Sequence, residues 1–590
     1  MKILKIIKKV LTEYLPKKYY KKSLLVCFAN FIGDFLELIG VGFIPIIIYN
    51  LFQPEELKNI LEEKNIYFLD PILQSEHSIF WIFGILIIFF MIKNFFLLAI
   101  FFFQRKLMIS IYNSQKKEIF ARYLNCKYED YLQKNPSQLI GLINVGVPET
   151  TSLVEHILII IREIFLIFIV IVSIFLIDPA STVITLFCFI FFIVIFYSLT
   201  YQFSSWRGKL SYILSMKNLK VIDETFNLIK EIRLYNKKHF FFNLFEEQIE
   251  IAEKQKLYNS VLSVTPRYII EIGLLLIIFL ILFFFNFILG DLNQSLPVIT
   301  FISVAAIRLI PAFRMIASSI NHINFRSAHL SSVILEIKNL QKENYHNEEN
   351  HDYEKNFNFE NQIKISNVKF KYKEHKNDSL NIKNIEIKKG EKIGVIGQSG
   401  SGKSTFINVL LGFLSPYSGE ILVDGNNIHK NIFNWSKIIG YVPQEINFLD
   451  DKISKNIALG VDENEIDKDK LENSINVSNL KEFVKNKKDG LDTIIGNNAL
   501  KVSGGQRQRI GIARAMYGEP QVLILDEATN SLDKENEIDI INGVISIKNL
   551  TSIIIAHRVE SLKKCDKIIV FEKGEIVNQG KFDEVISSGK

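Results

Sequence analysis

The residues Gly397-Gln398-Ser399-Gly400-Ser401-Gly402-Lys403-Ser404-Thr405 place glycines, a lysine and hydroxyls at the spacing G-x4-G-K-S. Glycines in this pattern let successive backbone N–H groups face phosphates, the lysine offsets phosphate charge, and the Ser404 hydroxyl is placed for Mg²⁺. The chemistry this implies is binding of a nucleoside triphosphate. To hold that geometry the loop needs a strand before it and a helix after it. The apolar run Ile393 to Ile396 and the helix-like run that follows Thr405 supply both.

A fixed order of further motifs follows downstream. Tyr441-Val442-Pro443-Gln444 comes first, then Val502-Ser503-Gly504-Gly505-Gln506-Arg507-Gln508-Arg509. The apolar strand Val522 to Leu525 runs into Asp526-Glu527-Ala528-Thr529, and Ser531-Leu532-Asp533 and Ile555-Ala556-His557-Arg558 close the series. Taken together, over roughly residues 360 to 590, these motifs resemble the nucleotide-binding domain of ATP-binding cassette (ABC) transporters. The family's signature reads LSGGQ where this chain begins with Val502. Asn497 stands where exporters usually place an acidic residue shortly before the signature.

The resemblance implies ATP and Mg²⁺ as cofactors and gives each residue an expected role. Lys403 and the amides of Gly397, Ser399, Gly400, Ser401, Gly402 and Thr405 hold the β- and γ-phosphates, while Ser404, Gln444 and Asp526 order Mg²⁺. Glu527 orients the attacking water, with His557 and Gln444 as its catalytic companions. Tyr372, 31 residues before Lys403, stacks on adenine. The signature residues Ser503, Gly504, Gly505 and Gln506 complete the site from a second subunit, with Ser503 and Gly505 reaching the γ-phosphate, and Asp533 is a further nucleotide-binding residue. One phosphate loop and one signature per chain therefore imply a homodimer, with a heterodimer as the alternative.

The front half explains the rest of the length. Of 590 residues 48% are apolar, 48 are Phe, and mean hydropathy is +0.19, with the apolar residues concentrated before about residue 320. A bilayer core of about 30 Å needs roughly 20 apolar residues in helix. Six stretches qualify: Leu24 to Tyr49, Ile79 to Phe103, Ile157 to Ile177, Ser181 to Leu199, Tyr268 to Leu289 and Pro297 to Ile316. The connections around 104–156 and 200–267 are rich in Lys and Arg and belong in the cytoplasm; the acidic loop with Glu55, Glu56, Glu62 and Glu63 belongs outside. Six spans with two long cytoplasmic connections resemble an exporter-type half-transporter, so the expected fold class is a membrane all-α region of six transmembrane helices, exporter type, followed by a soluble α/β P-loop NTPase domain. The expected boundaries are 1–340, a polar linker 341–357, and 358–590. Asn135-Pro136-Ser137-Gln138 and Glu231 to Asn236 are candidates for short coupling helices, or else ordinary solvated hairpins.

Met1 to Lys22 holds eight lysines and leads into an apolar stretch without a small-residue cleavage site. It reads as a cytoplasmic amphipathic entry segment, not a signal peptide. The net charge of +6 does not point to nucleic acid, because no soluble stretch mixes basic residues with stacking aromatics. Cys27, Cys126, Cys188 and Cys565 lack metal-ligand spacing and read as reduced structural thiols. The expected location is the bacterial inner membrane, multi-pass, with the nucleotide domain in the cytoplasm.

Charges inside a membrane cost about 2.5 to 3.5 kcal/mol each on insertion scales, so each needs a partner or a task. Asp34, Glu37, Lys93, Arg162, Glu163, Arg267, Glu271, Arg308 and Arg314 fall in or beside the six stretches. Pro266-Arg267-x-x-x-Glu271 with Arg308-Leu309-x-Pro311 resembles the bacterial branch of ABC flippases that move lipid-linked oligosaccharides. That resemblance implies Arg267, Arg308 and Arg314 as substrate residues meeting a lipid pyrophosphate, with membrane lipid and a lipid-linked glycan as partners. Simple pairing, such as Arg267 with Glu271 four residues on, is the competing reading. At the level of function, a general exporter of drugs, lipids or peptides is the alternative.

Overall fold

A computed structural model describes residues 2–52, 78–175, 179–284, 295–341, 357, 359–373, 375, 377–496, 502–528, 534–556 and 558–587. The chain divides into two compact units, residues 1–126 with 130–345 and residues 127–129 with 346–590. Most of the expected linker lies outside the described residues.

The first unit is helical. After α1 (Lys2–Lys9), a π-helical turn Val10–Tyr14 and a short turn Lys17–Tyr19 lead into α2 (Tyr20–Phe52). Then come α3 (Ser78–Leu124), α4 (Val147–Phe175), α5 (Pro179–Asn227), α6 (Lys238–Phe284) and α7 (Ser295–Gln341). Backbone polar groups among apolar side chains must be satisfied within their own segment, which long helices do. At 1.5 Å per residue the 47-residue helices α3, α6 and α7 reach roughly 70 Å, more than twice the bilayer core.

Among the described residues, Phe83–Leu124 within α3 is long and apolar enough to cross a membrane. Each of the other five expected spans includes residues or side chains outside the described set.

The core of this unit joins α3, α4 and α7 through Ile111, Ile119, Leu153, Ile323, Leu330 and Val333, all buried. Helices α5 and α7 approach so closely at Gly208 that a Cβ there would lie 1.8 Å from the Phe325 carbonyl oxygen. Both expected coupling segments overlap short helical turns, Pro136–Gly141 and Ile229–Leu234, and the Asn135 side chain caps the first by accepting from the Ser137 amide.

The second unit contains two sheets. Strands β1 (Gln362–Phe370), β2 (Leu380–Lys388), β4 (Ser418–Val423) and β5 (Asn426–Asn427) form an antiparallel sheet in the order β2-β1-β4-β5. The other sheet runs β10-β9-β3-β8-β7-β6, from β3 (Lys392–Gly397), β6 (Ile439–Val442), β7 (Val522–Asp526), β8 (Thr551–Ile555), β9 (Lys567–Glu572) and β10 (Glu575–Gly580). Its five strands from β9 to β6 are parallel. Residues Val522 to Leu525 and Thr551 to Ile555 are buried throughout, as expected of parallel strands covered on both faces. Ligands of open parallel sheets sit at the carboxyl ends of the strands. The segments that follow β3, β6 and β7 carry Lys403, Gln444 and Glu527.

Candidate functional site: the phosphate-loop cleft

Strand β3 delivers the chain at Gly397, and α8 (Lys403–Leu410) leaves from Gly402, which has φ 103° and acts as its N-cap. A side chain at Gly397 is excluded, because a Cβ would lie 2.4 Å from the Phe571 carbonyl oxygen of the neighbouring strand β9. Lys403 is buried and its ammonium folds back to donate to the carbonyls of Gly397 (2.8 Å) and Gln398 (3.0 Å). The loop is thereby held in a cradle whose amides and α8 N-terminus face outward. Ser401 adds an observation of its own: its Oγ is buried without a hydrogen-bond partner.

This loop opens onto a cleft of about 780 Å³. Of the expected residues, Tyr372, Ser399, Gly400, Gly402, Lys403, Ser404, Thr405, Gln444 and Glu527 line it together. Tyr372 Oη lies 3.4 Å from Thr405 Oγ1, with its ring edge-on to Phe370 and His375. Gln444 Nε2 donates to Glu527 Oε2 at 2.9 Å.

Glu527 has φ 50°, a left-handed conformation costly for a side chain of this kind, and its amide donates to Ile555 O at 3.1 Å. The fold thus imposes strain to turn this carboxylate into the cleft. Beside it, burial and then the charge of Glu527 raise the Asp526 carboxyl above its ordinary range. Two adjacent carboxylates destabilise each other's charged form, which a divalent cation relieves. The residues therefore fit Mg²⁺ and a nucleotide: an amide cradle, an orphaned buried hydroxyl at Ser401, an exposed Ser404 hydroxyl, and paired acids opposite.

Ser503 to Gln506 lie apart from the cleft-lining residues. Ser503 caps α9 (Gly504–Tyr517) through a reciprocal box: its Oγ accepts from the Gln506 amide (3.3 Å) and its amide donates to Gln506 Oε1 (3.0 Å). Gly504, Gly505 and Gln506 are half-buried at the start of α9. Asp533, His557 and Asn497 lie outside the described residues. In the helical unit Arg267 pairs with Glu271 at 2.9 Å, Arg314 is exposed, and the Arg308 side chain lies outside the described set.

Sequence reasoning did not find the Lys573-Gly574 turn, which lines the cleft and braces the loop through Gly574 N to Ser401 O at 2.8 Å. Nor did it find Glu537 on α10 (Lys534–Ile545), which is buried and pairs at 3.2 Å with Arg558, next to His557. The first lies about 170 residues from the loop in sequence and is brought there only by β3–β9 pairing; the acidic Glu537 sits in a charged run that reads as solvated surface.

Comparison with known proteins places this site. Residues 380–530 match the family model described as ABC transporter. The leukotoxin translocation ATP-binding protein LktB of a Pasteurella haemolytica-like species (strain 5943B) is 42% identical over 228 residues, 38% of this chain and 32% of that protein. LktB of Mannheimia glucosida matches at the same identity and coverage, and that of Mannheimia haemolytica at 40%. The chain spans about a third of the length of these curated relatives. A solved structure of a bacterial Atm1-family ABC exporter with ATP bound is similar over 98% of this chain and 97% of its own, with TM-score 0.75 and 17% identity. The fold is that of an Atm1-family ABC exporter, a helical transmembrane region followed by an α/β nucleotide-binding domain.

Proposed function

We propose that two copies of this chain form an ATP-hydrolysing exporter, multi-pass in the bacterial inner membrane, with the nucleotide-binding domain in the cytoplasm. One observation carries the reading: Gln444 and Glu527, from loops after different strands, are hydrogen-bonded to each other at the rim of the phosphate loop, and Glu527 is held there against its backbone preference. The ABC transporter match over residues 380–530 and the exporter fold support it.

Phosphoryl transfer asks a protein mainly for positioning and charge neutralisation. The nucleotide and Mg²⁺ supply the reacting phosphorus and the metal charge. Lys403 and the loop amides bind the phosphates, Ser404, Gln444 and Asp526 orient the cation, and Tyr372 stacks on the base. Glu527 accepts a proton from the water it positions, with His557 opposite. Ser503, Gly504, Gly505 and Gln506 act across the dimer, since they are not among the residues that line the cleft of their own chain, and Asp533 binds the nucleotide.

For the cargo, the general exporter is better supported than the narrower reading. Relatives that match at 40–42% identity are named for leukotoxin translocation, and Arg267, first of the three arginines that would meet a lipid pyrophosphate, is engaged by Glu271. Flipping of a lipid-linked oligosaccharide by Arg267, Arg308 and Arg314 is the finer alternative.

Glu527→Gln keeps the shape and the Gln444 contact but removes the proton acceptor. Steady-state hydrolysis by the purified variant is expected to fall about 10²- to 10⁴-fold while ATP binding persists. Normal turnover overturns the assignment.

A further inference from the structure

The charge of this chain is concentrated in one place. Lys2, Lys5, Lys8, Lys9, Lys17, Lys18, Lys21 and Lys22 against the single Glu13 give residues 1–22 a net +7, while the whole chain carries +6. The remaining residues therefore sum to −1. Glu13 does not relieve the excess, since it pairs at 2.6 Å with Lys338 of α7.

The structure fixes which way this segment faces. Val10, Tyr14, Leu15 and Tyr19 are buried in the core shared with α3, α4 and α7. Tyr14 Oη is 2.6 Å from Thr151 Oγ1, Gln115 Nε2 donates to Tyr14 O at 2.6 Å, and Tyr19 Oη donates to Ser110 O at 2.9 Å. With the inner side held at three helices, Lys5, Lys8, Lys9, Lys17, Lys18, Lys21 and Lys22 are all exposed on the other. Among the described residues none of these seven has an acidic partner; Lys18 alone makes a further contact, over the Tyr19 ring. Exposed apolar side chains, Leu4, Leu11 and Tyr20, lie between them, and the strip continues into Leu24, Leu25 and Phe28 on the outer face of α2.

We propose that this strip, α1 through Lys22, is a binding ledge for anionic lipid headgroups of the cytoplasmic leaflet. The inference rests on the membrane reading above and goes beyond it by naming a lipid class and the residues that select it. Charge complementarity is the argument: unpaired lysines beside exposed leucines match a surface that is anionic outside and apolar just beneath. The strip runs without a break into an outward-facing apolar helix, so the surface it meets is a bilayer and not a soluble polyanion. Because the buried side is tied to α3, α4 and α7, lipid held on the ledge acts directly on the helix bundle.

The test uses the full chain reconstituted in phosphatidylcholine vesicles carrying either spin-labelled phosphatidylglycerol or spin-labelled phosphatidylcholine, with the motionally restricted fraction measured for each. The expected result is about fivefold enrichment of phosphatidylglycerol around the protein, the factor one lysine contributes near an anionic surface, falling as salt is raised. The combined variant Lys5→Gln, Lys8→Gln, Lys9→Gln, Lys17→Gln and Lys18→Gln is expected to abolish the preference, and the corresponding Lys→Arg variant at the same five positions to keep it. Lysines that serve only to orient the chain during insertion give equal association of the two lipids with the unsubstituted protein, and that result overturns the proposal. So does full enrichment around the Gln variant. A chain that restricts neither lipid overturns the membrane reading itself, and the proposal with it; ATP hydrolysis, measured separately in detergent, tests the transport reading without bearing on the lipid preference.

Discussion

The two units differ in the partners they give to several of their buried polar groups. In the nucleotide unit the partner is mostly backbone: the buried Lys392 ammonium donates to the carbonyls of Ile547 and Leu550, Trp435 Nε1 to Leu410 O, and the Asp424 carboxylate accepts from the amides of Glu360, Asn361 and Gln362. In the helical unit many of the partners are other side chains. Arg326 pairs with Glu149 and donates to His156 Nε2 at 3.0 Å, His156 stacks on His322 at 4.7 Å, and His322 Nε2 is 3.5 Å from Ser263 Oγ. Asn321 Nδ2 then reaches Ser263 Oγ and Asn259 Oδ1, each at 3.0 Å. The cause lies in secondary structure. A helix consumes its own backbone groups internally, whereas loops and sheet ends leave carbonyls and amides for side chains to use.

The largest expected effect tests the nucleotide side. Trp435 is fully buried within the main core of that unit, edge-on to Phe357 at 6.3 Å. Trp435→Ala removes the ring and orphans the Leu410 carbonyl, at a cost of about 3 to 5 kcal/mol. Thermal unfolding of the full chain in detergent should show the nucleotide-unit transition lowered by roughly 10 °C, with the helical unit unmoved. Trp435→Phe keeps most of the packing and loses the hydrogen bond, so its shift is expected to be clearly smaller. Equal shifts would mean that backbone bonding, not packing, dominates this core.

Acid should strike the helical unit instead. Burial, and after it the charge of Arg326, pushes the His322 imidazole down to about 4, with His156, Ser263 and Glu149 as the other groups around it. Between about pH 6.5 and 4 the ring is neutral when folded and protonated when unfolded. The unfolded chain binds more protons there, so stability rises with pH across the window and is lost as pH falls. From pH 6.5 to 5 the loss is about 1 to 2 kcal/mol. Unfolding midpoints of the helical unit measured over that range check it, and His322→Gln should flatten the dependence. An unchanged slope in the variant would move the effect to another group.

How far each unit was legible in the sequence follows the same division. The phosphate loop was legible from its local spacing, since a strand end, a turn and a helix start lie within a few residues of each other, whereas Gln444, Glu527 and Tyr372 were expected only from the resemblance of the motif series and line the same cleft. The Lys573-Gly574 brace and the Asp424 clamp were not, since each depends on strands far apart in sequence coming into register. In the helical unit the long apolar runs announced helices, and Arg267 with Glu271 met the simple four-residue pairing rule. The link from His156 through His322 to Ser263 joins α4, α7 and α6, and no one-dimensional pattern carries a contact among three helices. The π-helical turn Val10–Tyr14 was equally silent, yet it turns Val10 and Tyr14 inward and leaves lysines outward.

The smallest effect sharpens the comparison most. Asn321 is buried, its Nδ2 serves Asn259 and Ser263 on α6, and its Oδ1 is buried without a partner. Asn321→Leu removes that orphaned oxygen, which favours the variant, but leaves Asn259 Oδ1 without its donor, which costs about 1 to 3 kcal/mol. The two terms oppose, so the net loss is expected near 1 kcal/mol, well below that of Trp435→Ala. Asn259→Leu combined with Asn321→Leu removes both ends of the bond and should recover most of the loss, because apolar partners of similar shape need no hydrogen bond. Thermal midpoints of the two single variants and the double variant give the coupling directly. If the double variant is as unstable as the sum of the singles, Asn321 and Asn259 act independently, and the picture of a helical unit held by side chains meeting side chains fails at its best-defined contact.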